Sequence, residues 1–291
     1  MKVQKILLTG GSGFIGKNII AYYEESSEVV IDSPSSSELD CLDEKAVKKW
    51  LDKGNYDIIL NFAGYSPVGS KTEKDGEKIF EYNMRMFMNF AKYSCLYKRM
   101  FWTGSGAEYD RSENVINVKE QEIANYPIPN DQYGLEKYCI GQYIENSNNI
   151  YNLRLFGIFG PYEFAERRFI SNMIICALNH SDYLIRKNSK FDYLWIKDFL
   201  RILDLFIHTE KLEYHTYNVA SGRGYELREL AEIVKNVSGW NGNIIVESDE
   251  QGKEYTVDIS RLRSQFPEIK LTDMVQSISE LYQWYVSKGK S

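Results

Sequence analysis

The chain has 291 residues, 43% of them hydrophobic and 26% charged, with a formal net charge of −6. That is enough for one large or two modest globular domains. An acidic balance with no long basic block argues against nucleic acid as a partner, and no apolar run approaches the ~20 residues that would cross a bilayer. Cys41, Cys95, Cys139 and Cys176 are scattered, with no CxxC pair and only three histidines in the chain, so neither a disulfide framework nor a zinc spacing is expected. The start MKVQKILLTG runs directly into a strand pattern with no cleavable apolar segment, which predicts a reduced, cytoplasmic protein.

The pattern predicts a strand at 5–9, a helix at 14–23 and a second strand at 29–31. A helix near 44–51 then leads into an apolar strand at 58–63. A long helix over 77–97 and a strand at 100–103 follow. This alternation implies an α/β fold, a Rossmann-type doubly wound parallel sheet covered by helices. Farther on, strands are expected at 153–158, 193–196 and 217–220, and helices at 199–208, 227–237 and 274–285. With no linker or repeat in view, a smaller C-terminal substrate domain is expected to interleave with the first. Residues 1–160 plus about 191–222 form the dinucleotide-binding part, and about 161–190 plus 223–291 the rest.

Between the first strand and helix lies Thr9-Gly10-Gly11-Ser12-Gly13-Phe14-Ile15-Gly16. Gly10 suits a tight turn, Gly13 a close backbone approach to a pyrophosphate, and Gly16 close packing of helix on strand. The N–H groups of Phe14, Ile15 and Gly16 then open a helix N-terminus toward the phosphates. Asp32 ends the second strand, where a carboxylate can accept both ribose hydroxyls of NAD. Ser33, Ser35, Ser36 and Ser37 follow it and could accommodate the 2′-phosphate of NADP, so both cofactors stay open.

Tyr133-Gly134-Leu135-Glu136-Lys137 is a YxxxK pattern that puts phenol and ammonium on one helix face. A nearby positive charge favours the phenolate, so such a Tyr can exchange a proton with a hydroxyl or carbonyl oxygen. Ser105 follows a strand that ends near Thr103, and its hydroxyl could polarise the same oxygen.

Together these motifs resemble the extended short-chain dehydrogenases/reductases of the NAD-dependent epimerase/dehydratase family, over roughly residues 3–285. The glycine spacing matches TGxxGxxG, and Asn61-Phe62-Ala63-Gly64 resembles the family's NAAG-type turn. Asn83 matches its helix Asn, and 103–109 its SSxxVYG segment. The resemblance implies Ser105, Tyr133 and Lys137 as catalytic groups. It implies cofactor contacts from Asp40 and Cys41, Ala63, Gly64, Asn83, Thr103 and Phe156. A nucleotide-sugar substrate would meet Ser66, Ser105, Gly106, Gly157, Arg167, Arg168, Phe169, Asn172 and Arg261. The stretch 152–161 resembles LRxxNxxGP with Gly157 in the Asn place, and 191–198 resembles RDFVYVDD with Phe191 for Arg. Gly106 and Ala107 stand where the family's dehydratases carry Asp-Glu, so dehydration is disfavoured. The fucose-synthase branch epimerises with a Cys at the place of Ala107 and a His near the place of Met173. Reduction of a 4-keto sugar, with NADPH favoured, is the leading expectation. A 4-epimerase with bound NAD is the alternative, and a non-catalytic NAD(P) sensor the third reading. A homodimer is a permitted assembly.

Overall fold

A computed structural model of the chain describes residues 3–65 and 73–289. In chain order the elements are β1 (Gln4–Thr9), α1 (Phe14–Tyr23), β2 (Val29–Asp32), α2 (Glu44–Gly54), β3 (Ile58–Asn61), α3 (Ile79–Ala91), β4 (Arg99–Ser105) and β5 (Val115–Val118). Then come α4 (Gln132–Glu145), β6 (Ile150–Leu155), β7 (Gly157–Phe159), α5 (Phe169–Leu178), β8 (Tyr183–Lys187), β9 (Lys190–Trp195), α6 (Ile196–His208) and β10 (Thr216–Val219). The chain ends with β11 (Gly224–Glu226), α7 (Leu227–Ser238), β12 (Ile244–Ser248), β13 (Glu254–Val257), α8 (Ser260–Gln265) and α9 (Met274–Lys288).

The first compact unit comprises Met1–Asp110, Glu120–Leu155 and Phe206–Asn218. Its six-stranded sheet runs β10-β6-β4-β3-β1-β2, and the pairs from β6 to β2 are parallel. All four residues of β3 and the last four of β1 are buried, as expected where helices cover both sheet faces. On one face Leu7, Ile59, Met100 and Trp102 pack with Val47 and Leu51 of α2, Phe87 and Phe90 of α3, and Ile140 and Ile144 of α4. Asp43 caps α2 by accepting the N–H groups of Lys45 and Ala46 at 2.8 and 3.2 Å, and Asn55 ends it with φ 48°. The order of the sheet leaves the ends of β1, β3 and β4 side by side, which is where the candidate site lies.

The second unit comprises Arg111–Lys119, Phe156–Leu205 and Val219–Ser291. It holds a five-stranded mixed sheet in which β9 pairs with β11, β13 and β7, and β5 joins through β13. A separate two-stranded sheet pairs β8 with β12.

Three expectations need correction. Residues 111–119, 156–160 and 191–205 belong to the second unit, because β5, β7 and β9 pair with one another's neighbours there and not in the large sheet. The apolar run at 153–158 is two strands in two sheets, broken at Phe156. The long helix expected over 77–97 is shorter, ending at Ala91, with a 3₁₀ turn at Ser94–Leu96. The Tyr97 hydroxyl donates to Phe90 O at 3.0 Å and turns the chain back into β4.

Candidate active site

β1 delivers the chain into the glycine turn at Thr9. Its Oγ1 accepts the N–H groups of Phe62 and Ala63 at 3.1 and 3.0 Å and donates to Asn61 Oδ1 at 3.0 Å, which ties the turn after β1 to the turn after β3. Gly10 has φ +79°, and a Cβ there would stand 2.8 Å from Ala63 N and from Phe62 O, so no other residue fits. A Cβ on Gly16 would overlap Gly10 O, which lets α1 abut the turn. Gly13 is the α1 N-cap without any side-chain cap, and the first-turn N–H groups of Phe14, Ile15 and Gly16 have no intrahelical acceptor. This bare, positively polarised helix end beside a backbone cradle fits a dinucleotide pyrophosphate.

At the end of β2 the structure adds protein partners that the sequence does not show. Asp32 Oδ2 accepts a short hydrogen bond from the Tyr56 hydroxyl, which in turn accepts from Trp50 Nε1 at 2.8 Å. One carboxylate oxygen thereby has a protein partner. Ser33 stands against the glycine turn instead: a Cβ on Gly11 would overlap its Oγ, which donates to Leu8 O at 3.3 Å. Ser35 closes a turn, its N–H and hydroxyl donating to Glu38 Oε2 at 2.8 and 2.7 Å. Asp40 Oδ1 accepts the Leu42 N–H at 2.9 Å. Burial, with the Asp40 charge adding, pushes the Cys41 thiol up to about 11, so Cys41 is a packed thiol and not a reactive one. Lining Asp32 and Tyr56 is a cavity of about 610 Å³ that also meets Lys5, Lys49 and Lys53.

After β3 the chain is held by Asn83 of α3. Its Oδ1 accepts the Tyr65 N–H at 2.6 Å and its Nδ2 donates to Tyr65 O at 3.1 Å, fixing the turn through Ala63 and Gly64. Ser66 lies outside the described residues.

At the end of β4, Ser105 Oγ accepts the Ala107 N–H at 3.1 Å, and the Ser105 N–H donates to Glu108 Oε1 at 3.3 Å, a capping box around Gly106. Glu108 is 1% and Arg154 of β6 is 2% exposed. Arg154 grips Glu108 Oε2 with Nη2 at 2.6 Å and Nε at 2.8 Å, while Asn152 donates to Oε1 at 3.0 Å. Arg154 Nη1 also donates to the Tyr109 hydroxyl at 2.7 Å. Neutral and well partnered, this buried pair anchors the Ser105 turn to the sheet. Side chains at Gly104 and Gly141 would run into Glu108, at 2.5 and 2.6 Å.

α4 begins at its N-cap Asp131, whose Oδ1 accepts the Gly134 N–H at 2.9 Å, and presents Tyr133 and Lys137 on one face. Lys137 Nζ donates to Thr103 O at 2.9 Å and stands 4.2 Å from the Trp102 ring centroid and 5.5 Å from that of Tyr133. The Thr103 carbonyl and the indole face therefore hold the ammonium beside the phenol ring. Ser105 and Lys137 are both fixed from β4, one through its turn and one through the Thr103 carbonyl.

The remaining candidates lie in the second unit. Phe156 is buried, its ring 4.9 Å from Tyr255. A Cβ on Gly157 would meet Asp192 O at 2.5 Å, so the pairing of β7 with β9 explains the Gly there without any ligand. Arg167 stacks over Phe164, and Arg168 opens α5, where its carbonyl accepts the Asn172 N–H at 2.8 Å. The Phe169 ring meets Tyr183 edge-on at 5.5 Å, and Arg261 lies on α8. Among the described residues no group of three His, Cys, Asp or Glu side chains could hold a metal.

Sequence reasoning missed Glu108, Arg154, Glu136 and Tyr56. The first had a local signal, the Ser-x-x-Glu spacing at 105–108; the others bond to partners 24 to 53 residues away along the chain and carry none.

The NAD dependent epimerase/dehydratase family model matches residues 6–220. A GDP-L-colitose synthase of Yersinia pseudotuberculosis is 22% identical over 309 residues, covering 98% of each chain. A GDP-L-fucose synthetase structure from Naegleria fowleri with NADP bound superposes with a TM-score of 0.84 at 16% identity, over 99% of this chain and 95% of that one. The UDP-glucose 4-epimerase of Thermotoga maritima, solved with UDP-glucose, gives 0.80 at 18% identity over 98% and 99%. With the glycine cradle and the Tyr133–Lys137 face, these matches make the chain an NAD(P)-dependent enzyme of the extended short-chain dehydrogenase/reductase type, and it belongs to the NAD dependent epimerase/dehydratase family.

Proposed function

We propose that the chain reduces a 4-keto nucleotide sugar. The observation that carries this reading is the Ser105, Tyr133 and Lys137 set held at the end of β4, with no proton-carrying side chain at Gly106 or Ala107. Such a set can exchange one proton with one oxygen, and nothing in it carries a proton to or from carbon. Relatives named GDP-L-colitose synthase, GDP-L-fucose synthase and GDP-mannoheptose C4 reductase lend the substrate class and the direction.

The nicotinamide, when bound, supplies the hydride for the keto carbon. Ser105 donates its hydroxyl hydrogen to the keto oxygen and withdraws charge from the carbon. Tyr133 gives that oxygen a proton as it becomes an alkoxide, and Lys137 stabilises the phenolate that remains. The Thr103 carbonyl keeps Lys137 at its post. The bare N-terminus of α1 holds the pyrophosphate of the cofactor in the Gly10–Gly16 cradle.

The test is to supply NADPH and NADH with 4-keto sugars carrying GDP, UDP, dTDP or CDP and to follow loss of reduced cofactor against product. Stoichiometric consumption is expected, and Tyr133→Phe should abolish it while cofactor affinity stays within about threefold. Interconversion of C4 epimers on tightly held NAD without net consumption would overturn the reductase reading in favour of 4-epimerisation. That alternative is kept alive by the fold shared with a UDP-glucose 4-epimerase.

A further inference from the structure

One buried acid beside the candidate proton donor has no part in the mechanism above. Glu136 is three residues after Tyr133 and adjacent to Lys137 on α4, and it is 1% exposed. A carboxylate withdrawn so far from water needs a partner for its charge. The nearest cation is the Lys137 ammonium, 3.5 Å from Glu136 Oε1. That distance makes a charge contact and not a hydrogen bond, for Lys137 spends its short bond on Thr103 O at 2.9 Å. Oε1 has no hydrogen-bond donor among the described residues. Oε2 accepts from Asn83 Nδ2 at 3.4 Å, and the same Nδ2 donates to Tyr65 O at 3.1 Å. A continuous polar path thus runs from the turn after β3, through Asn83 and Glu136, to Lys137 and the Tyr133 ring.

We propose that Glu136 is a positioning residue that sets how much of the Lys137 charge reaches the Tyr133 phenol, so that the proton donor is governed by an ion pair and not by a lone ammonium. The inference rests on Tyr133 being the group that titrates in the reaction. Among the described residues the charged groups that act on Glu136 are Lys137 and Glu108. Lys137 opposes ionisation of nothing but favours the carboxylate, and Asn83 of α3 does the same by hydrogen bonding. Burial acts the other way, with Glu108, across from α4, adding to it, and the net effect lifts the Glu136 carboxyl above its ordinary range. Wherever the carboxylate is ionised beside the ammonium, it cancels part of the ammonium's field and makes the phenol hold its proton to higher pH. A reductase needs that phenol protonated, which gives the acid a use.

Glu136→Gln keeps the shape and the bond from Asn83 and removes only the charge. Ionisation of a single phenol among 22 tyrosines can be read without substrate, as the ultraviolet difference titration between each protein and its Tyr133→Phe counterpart. In the Glu136→Gln background the Tyr133 midpoint should fall by at least about one pH unit, the shift that losing one charge ~12 Å away causes at an effective dielectric constant of ~20, a nearer charge causing more. The alkaline limb of the kcat/KM profile should move down with it, while cofactor affinity stays within about threefold. A midpoint and limb unchanged from the wild type would overturn the inference, since a residue that merely packs would lower the rate at every pH without moving the profile. Should the Gln variant fail to fold, Glu136→Asp must show a smaller shift in the same direction, and a wild-type midpoint there is equally fatal. A shifted titration in a protein that turns over no 4-keto sugar would sink the proposed function and leave the role of Glu136 standing.

Discussion

Arg154→Met tests whether the ion pair behind Ser105 is what holds the candidate site. The substitution keeps an unbranched apolar chain of similar reach but strands the Glu108 carboxylate, 1% exposed and left with Asn152 and the Ser105 N–H. Breaking a buried pair from one side costs about 3–5 kcal/mol, because the survivor's charge is neither solvated nor partnered. Glu108→Gln strands Arg154 in the same way and should cost a similar amount. The double variant restores neutrality, and Gln can still accept from the Ser105 N–H, so its loss should fall well short of the sum, with a coupling of about 2–4 kcal/mol. Urea unfolding followed by tryptophan fluorescence, with all four proteins at one pH, gives the cycle. The single variants should also lose kcat more than cofactor affinity, since the Ser105 turn hangs on Glu108 and the glycine cradle does not. Losses that add to within ~0.5 kcal/mol would refute the reasoning, for then neither charge depends on the other.

Three further outcomes follow from the geometry. Asp32→Asn should change NAD affinity less than about threefold, because Tyr56 already engages that carboxylate, whereas Ser33→Asp beside the glycine turn should weaken NADP at least tenfold by repelling a 2′-phosphate; a tenfold loss of NAD binding in Asp32→Asn would return the ribose to Asp32. Burial pushes the Glu163 carboxyl of the second unit up to about 7 from 4.5, so the folded state binds a proton that the unfolded chain has lost, and stability should fall as pH rises from about 4.5 to 7, by up to ~3 kcal/mol. Glu163→Gln should flatten that window in denaturation profiles, and an unchanged slope would refute the assignment. Turnover in deuterated water should place no solvent deuterium at C3 or C5, since Ala107 and Met173 are buried and carry no proton, and label there above a no-enzyme control would defeat the idea.

The parallel sheet was legible because its strands bury both faces and so read as short unbroken apolar runs, such as Ile58–Asn61. The second unit was legible only in part: β9, α7 and α9 fall where the pattern puts them, and the short strands do not announce themselves. β8 and β12 leave Leu184 and Ile245 exposed, β7 and β11 are three residues each, and their apolar residues are too few and too scattered to announce a strand. Phe156 shows the same limit at a boundary: the apolar run continues through it, but its two sides bond to different sheets, which no local periodicity records. Likewise the long helix fails at Ala91 because a tyrosine six residues farther on bonds back to Phe90, a matter of tertiary contact and not of helix propensity.

At the candidate site the legible residues are those whose job imposes a spacing. A pyrophosphate cradle needs glycines at a turn, and a phenol with an ammonium beside it needs four residues of helix. Apart from the Ser-x-x-Glu spacing that brings Glu108 back to Ser105, the residues that hold them obey no spacing, because their partners come from other strands and helices. Asp32 stands as a ribose candidate on its place at the end of β2, and the bond it receives from Tyr56, 24 residues on, is one that no local spacing records. Nothing in the sequence marks the Glu108 and Glu136 carboxylates as buried, yet both are 1% exposed, one against Arg154 and one against Lys137. The two pairs differ in a way that matters chemically. Glu108 is gripped at 2.6 Å by a cation that touches nothing reactive, so its pairing with Arg154 confers rigidity. Glu136 stands 3.5 Å from a cation that faces the Tyr133 ring, so any change in its charge is felt at the phenol. A buried carboxylate tightly bound to an inert cation fixes a site, and one loosely bound to a working cation tunes it.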